Sequence, residues 1–160
     1  MMRKKLTLGV LVGLGAALWF AFRPERLFLN AQVHESLGSL ASDMSTVKTV
    51  AAGTFHGVHH ETKGGATILR LADGKRILRL SDFATSNGPD VRVYLVAASD
   101  AMDNGTVTTA GFVEVGALKG NIGDQNYDIP SSIDLTKYRT VTIWCRRFGV
   151  NFGSAPLVTS

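Results

Sequence analysis

The stretch "TVTIWCRRFGVNFGSAPL", residues 140–157, decides the fold. In its first half Val141, Ile143 and Cys145 alternate with Thr142, Trp144 and Arg146, the period of two that a β-strand imposes on its side chains. The first set is apolar throughout, so Cys145, the only cysteine of the chain, falls on the core face. Upstream, "DVRVYLVAA" (90–98) repeats the pattern, with Val91, Val93 and Leu95 as the better core face against Arg92, Tyr94 and Val96. The runs "TVAAGTFHG" (49–57), "ATILRL" (66–71), "KRILRL" (75–80), "GFVEVG" (111–116), "QNYDIP" (125–130) and "NFGSAPLV" (151–158) complete a series of short strands spaced about ten residues apart. Asp73-Gly74 marks a tight hairpin, and "SNGPD" (86–90) a sharp turn in which Gly88 tolerates positive φ and Pro89 blocks a helix. No convincing helical period follows residue 47, although "SIDLTKY" could supply one helical turn between Asp134 and Lys137. The expected fold class is all-β: an antiparallel β-sandwich or barrel-like domain.

The chain of 160 residues, 45% apolar and 19% charged, has room for one such domain. Its start differs in character. Arg3, Lys4 and Lys5 precede an uncharged run from Leu6 to Phe22 that carries Trp19 and Phe20 near its end, and Arg23 and Arg26 follow. That run approaches the length of a membrane span, with aromatic residues where the lipid interface favours them. A cleaved signal would start in the same way, but the run is long for one and no small-x-small site follows it closely. The reading is an N-terminal transmembrane anchor over 1–23, a spacer over 24–46 containing His34, and the β-domain over 47–160. The heavier positive charge ahead of the run places the N-terminus in the cytoplasm and the domain on the extracytoplasmic side, periplasmic or at the cell surface. From Val47 onward there are 12 basic against 10 acidic residues and no basic stripe interleaved with aromatics, which argues against a nucleic-acid partner.

Three constellations could carry chemistry. Cys145, followed by Arg146 and Arg147, is a reactive thiolate if it reaches water and a small core residue if it does not. His56, His59 and His60 in "FHGVHH" could bind a metal, or simply sit solvated in an exposed turn. Asn121, Asp124, Asn126 and Asp128 offer oxygens of the kind calcium uses, though turn residues supply the same oxygens for backbone capping; Tyr127 among them reads as a buried strand residue. "DNGT" (103–106) marks a turn and contains an Asn-x-Thr sequon at Asn104. No CxxC, CxxCH, G-x-S-x-G, HExxH, P-loop or EF-hand pattern is present, and neither histidine nor methionine follows Cys145 as a blue-copper site requires. The chain does not read as a stand-alone enzyme.

The stretches "GTFHGVHH" with "ATILRL", "LSDFATSNGPDVRVYLVAA", and "LKGNIGDQNYDIPSSIDLTKYRTVTIWCRRFGVNFGSAPL" together resemble the DM-thirteen domain family found in Skeletor-type animal proteins and in bacterial membrane-anchored proteins. The resemblance implies a sandwich-like domain that often accompanies DOMON and cytochrome b-type modules, with a role in electron transfer. It also implies that Cys145 is the redox residue, as a naked thiol or as a ligand to a prosthetic group; on that reading its sequence neighbours Trp144 and Arg146 shape its surroundings. The cofactor implied is haem or none. The electron partner is a separate redox or envelope protein, since no companion module lies in this chain. The alternative is a non-catalytic envelope binding module in which Cys145 is structural.

Overall fold

The structure, a computed structural model, describes residues 12, 13, 15, 29–38 and 44–159. The anchor expected over 1–23 lies almost wholly outside the described residues. Among those described, no helix is long and apolar enough to cross a membrane.

The strands are β1 (Lys48–Thr54), β2 (His56–Gly57), β3 (Lys63–Arg70), β4 (Arg76–Ala84), β5 (Val91–Val96), β6 (Phe112–Ala117), β7 (Gln125–Ile129), β8 (Thr140–Cys145), β9 (Val150–Pro156) and β10 (Val158–Thr159). They form two antiparallel five-stranded sheets, ordered β10-β1-β3-β4-β7 and β2-β9-β8-β5-β6. The all-β expectation holds. The stretch 49–57, read as a single strand, is two: the chain turns a corner at the buried Phe55, so that β1 belongs to the first sheet and β2 to the second. The β3–β4 hairpin closes as the Asp73-Gly74 pair requires, with Gly74 at φ +86° and the Lys75 N–H donating to Asp73 Oδ1.

The inward faces meet in one apolar core. Val93, Leu95, Val141, Ile143 and Cys145 of the second sheet pack with Ala66, Ile68, Leu78 and Leu80 of the first, matching the alternation in the sequence. Each fully buried Val, Leu or Ile contributes roughly 1.5–3 kcal/mol through removal from water. The opposite face of the second sheet carries a smaller cluster of Tyr94, Val96, Ala101, Val107 and Trp144, covered by a helix, α1 (Asn104–Ala110). No helix was expected after residue 47. The sequence NGTVTTA is poor in helix formers, and α1 is instead fixed by its surroundings. Asp103 caps it by accepting from the Thr106 N–H, Val107 is buried, and Asn104 Oδ1 accepts from the Asn151 N–H at 2.7 Å. The turn expected at 103–106 is thus the start of this helix. Around "SIDLTKY" the Lys137 and Tyr138 N–H groups both donate to Asp134 O, which makes a single closed turn.

Part of the stretch read as spacer is bound to the domain. Residues 31–35 lie beside 122–124, with a parallel bridge between Gln32 and Ile122, Val33 N–H donating to Ile122 O and Glu35 N–H donating to Asp124 O. The Glu35 carboxylate accepts from Lys119 Nζ at 2.7 Å and from the Asn126 N–H at 2.8 Å, while Glu35 O accepts from Arg79. This strap is a structural part of the sandwich. His34 within it is exposed.

Candidate functional site: a sealed thiol behind the 86–90 turn

Cys145 is the last residue of β8, opposite Val91 on β5 and Val150 on β9. It is free, 0% exposed and part of the apolar core. The alternation of β8 dictates this: a sulfur on the face shared by Val141 and Ile143 must point between the sheets. Trp144, one residue earlier, faces the other way into the α1 cluster, with its ring 6.3 Å from Tyr94, which itself stacks on Phe112 at 4.3 Å. Trp144 and Cys145 therefore sit on opposite faces of one strand, and of the two supporting residues expected only Arg146 bears on the end of β8 that holds the thiol.

Arg146 does so through Asp90. The Arg146 N–H donates to Asp90 O at 2.9 Å, and Arg146 Nε donates to Asp90 Oδ2 at 2.9 Å. The other carboxylate oxygen of Asp90 accepts from Arg92 Nε at 2.6 Å, and both arginines also meet Glu114. Burial acts to raise the pKa of Asp90, but the hydrogen bonds from Arg92 and Arg146 outweigh it and hold the carboxyl below its ordinary value. The turn "NGPD" (87–90) is thus tied directly to the residue that follows the thiol. Gly88 is needed here for space and not for positive φ, contrary to the expectation. A Cβ at this position would lie 2.7 Å from Val91 Cγ2 and 3.1 Å from the Phe152 ring, so the turn packs flat against the core end.

On the outer side of this turn lies a cleft of about 600 Å³ walled by the strap at 29–31, by 86–92 and by 117–121. Cys145 does not line it. Val91, its partner across the ladder, does. Nothing in the sequence pointed to this cleft, because its three walls come from remote parts of the chain.

The other candidate constellations resolve into structure. His56 Nε2 lies 3.0 Å from Asp100, His59 is exposed, and His60 packs against the Phe152 ring at 3.9 Å. Burial, and secondarily the nearby His59, lower the pKa of His60. The three histidines do not converge, and among the described residues no group of three or more His, Cys, Asp or Glu is placed to hold a metal ion. In the 121–128 loop, Asp124 and Asn126 are held by Arg79, and Asn121 bonds Asn30, the Ala31 N–H and Thr85 O. These oxygens cap backbone and pair with cations within the fold. Tyr127 is buried as expected, its hydroxyl donating to Gln125 Oε1 at 2.7 Å, and burial pushes its pKa up. A haem does not fit the residues around Cys145: the sulfur is packed among apolar side chains, and the adjoining cleft is lined by no histidine.

These features define a small antiparallel β-sandwich domain with its one cysteine sealed in the core. Residues 54–157 match the family model described as "Electron transfer DM13", and the chain belongs to that family. No curated protein and no solved structure matches it.

Proposed function

We propose that this chain is a membrane-anchored, extracytoplasmic electron-transfer domain whose redox group is Cys145, gated by the Asp90–Arg146 contact. The observation that carries the reading is the family match, which runs over residues 54–157 and so includes Cys145. Thiol exchange requires an accessible thiolate, and a thiol that is 0% exposed offers none while the fold is closed. The gate is the turn Arg146–Gly149, joined to the rest of the fold through Asp90 and through the Gly149 N–H donating to Cys145 O. Opening of this end would bring the sulfur out beside Arg146 and Arg147, whose charge favours the thiolate. Release of Asp90 is then the step that makes the thiol reactive toward a separate redox protein. The apolar run before residue 23 and the basic residues ahead of it support the anchored, exported placement.

Reaction of the full-length protein with a small thiol reagent tests the gate. Modification faster than global unfolding, and accelerated at least tenfold by Asp90→Asn, is the expected result. Modification at the global unfolding rate in both proteins would rule the gate out. Complete burial of Cys145 favours one further reading, an envelope binding module in which the cysteine only packs; unchanged partner binding in Cys145→Ala would support it.

A further inference from the structure

We infer that the cleft between the strap and the 86–90 turn binds the head group of a membrane quinone. This rests on the anchored placement proposed above, and deepens it by naming the class of electron carrier.

Position comes first. Leu29 lines the cleft, and six residues, 23–28, separate it from the end of the uncharged run at Phe22. The seven Cα-to-Cα steps from Phe22 to Leu29 span at most about 25 Å when fully extended, so the cleft lies at the anchored end of the domain, within reach of the lipid surface.

Chemistry comes second. The two cations that line the cleft are already paired, Arg92 with Asp90 and Glu114, and Lys119 with Glu35. The cleft therefore offers little unbalanced positive charge for a phosphate. It does offer donors. Among the described residues the Ser86 hydroxyl and the Gly88 N–H make no hydrogen bond, and the Asn87 side-chain amide uses one of its two N–H bonds, on Asn30. Pro89, Val91 and Leu118 supply apolar surface beside them. Neutral donors set against aliphatic side chains suit a flat, uncharged ring bearing carbonyl oxygens. Val91, which bears on the cleft, is the ladder partner of Cys145, so a ring bound here sits one strand from the thiol.

The test is equilibrium binding of a short-chain benzoquinone carrying one isoprene unit to the full-length protein in phospholipid nanodiscs, read by calorimetry. Saturable one-to-one binding is expected, weakened at least tenfold by Asn87→Leu and by Ser86→Ala, and unchanged by the remote Lys137→Ala. Thermal unfolding of each variant checks that it is folded. Absence of saturable binding, or affinity indifferent to both cleft substitutions, would overturn the assignment. Binding of glycerol phosphate in the same cleft with no binding of the quinone would also overturn it, in favour of a charged lipid head group. The Cys145→Ala protein keeps the two readings apart: it should bind the quinone normally even if the thiol proves to be inert, and a gated thiol in a protein that ignores quinone would leave the proposed function standing alone.

Discussion

Asp90 grips Arg146 twice, its carbonyl oxygen accepting the Arg146 N–H and its Oδ2 accepting Arg146 Nε, both at 2.9 Å. The residue after the thiol is thereby held in both backbone and side chain by one residue of the 87–90 turn, with Glu114 a further 3.6 Å partner of its guanidinium. Asp90→Asn keeps the backbone contact but weakens two charge-assisted bonds, those to Arg92 and Arg146. A loss of about 1–2 kcal/mol is expected, measured by urea unfolding at neutral pH. Because the folded-state pKa of Asp90 is depressed, its contribution is fully present above the unfolded carboxyl value and is lost as pH falls through the folded one. The stability gap between wild type and Asp90→Asn should therefore narrow on acidification below about pH 4.

Cys145 offers a comparison between two small replacements. Cys145→Ala removes one buried sulfur and leaves a small cavity, a cost of about 1 kcal/mol, whereas Cys145→Ser buries a hydroxyl among apolar neighbours and should cost about 1–3 kcal/mol more. Denaturant midpoints of the two variants check the order. Equal stability would mean that the serine finds a hydrogen-bond partner or water.

Gly88→Val places a branched side chain where even a Cβ comes within 2.7 Å of Val91 Cγ2. Displacement of Val91 and Phe152 should cost about 1–3 kcal/mol. Hydrogen exchange should then show faster opening at Cys145 and Val150, the residues at the loosened end.

The strap gives a pH-dependent signature of its own. Burial acts to raise the pKa of Glu35, but the hydrogen bonds from Lys119 and the Asn126 N–H prevail and lower it. Its contribution is present above the unfolded glutamate value and lost as pH falls through the folded one. Protection of the Val33 and Glu35 amides against exchange should fall below about pH 4. Glu35→Gln should show reduced protection already at pH 7.

His60 acts in a neighbouring window. Burial against Phe152 lowers its pKa, so the folded state favours the neutral ring and loses stability as pH falls from about 7 through the folded value. His60→Phe should remove that part of the pH dependence, as thermal unfolding between pH 7.5 and pH 5 would show.

Much of the fold was legible because strands write their burial at a period of two. Val91, Val93 and Leu95, and likewise Val141, Ile143 and Cys145, sort onto the core face from sequence alone, and Asp73-Gly74 names its hairpin. The helix Asn104–Ala110 was not legible, since Gly105, Thr106, Thr108 and Thr109 are weak helix formers and "DNGT" reads as a turn; the cap at Asp103 shows only in the structure. The corner at Phe55 and the docking of Glu35 on Lys119 and Asn126 depend on partners far along the chain, which local periodicity does not encode. For the same reason the sequence placed Cys145 on the right face but gave no hint of the cleft beside Val91, or of Asp90 as the group that closes the end of β8.

The strap has a mechanical consequence. Hydrogen bonds at Val33 and Glu35, with the Glu35–Lys119 ion pair behind them, grip the incoming chain along several residues and not at one point. Residues 31–35 are therefore fastened to the sandwich as a hem is to cloth: a pull on them is shared among Ile122, Asp124 and Lys119 and does not fall on a single bond.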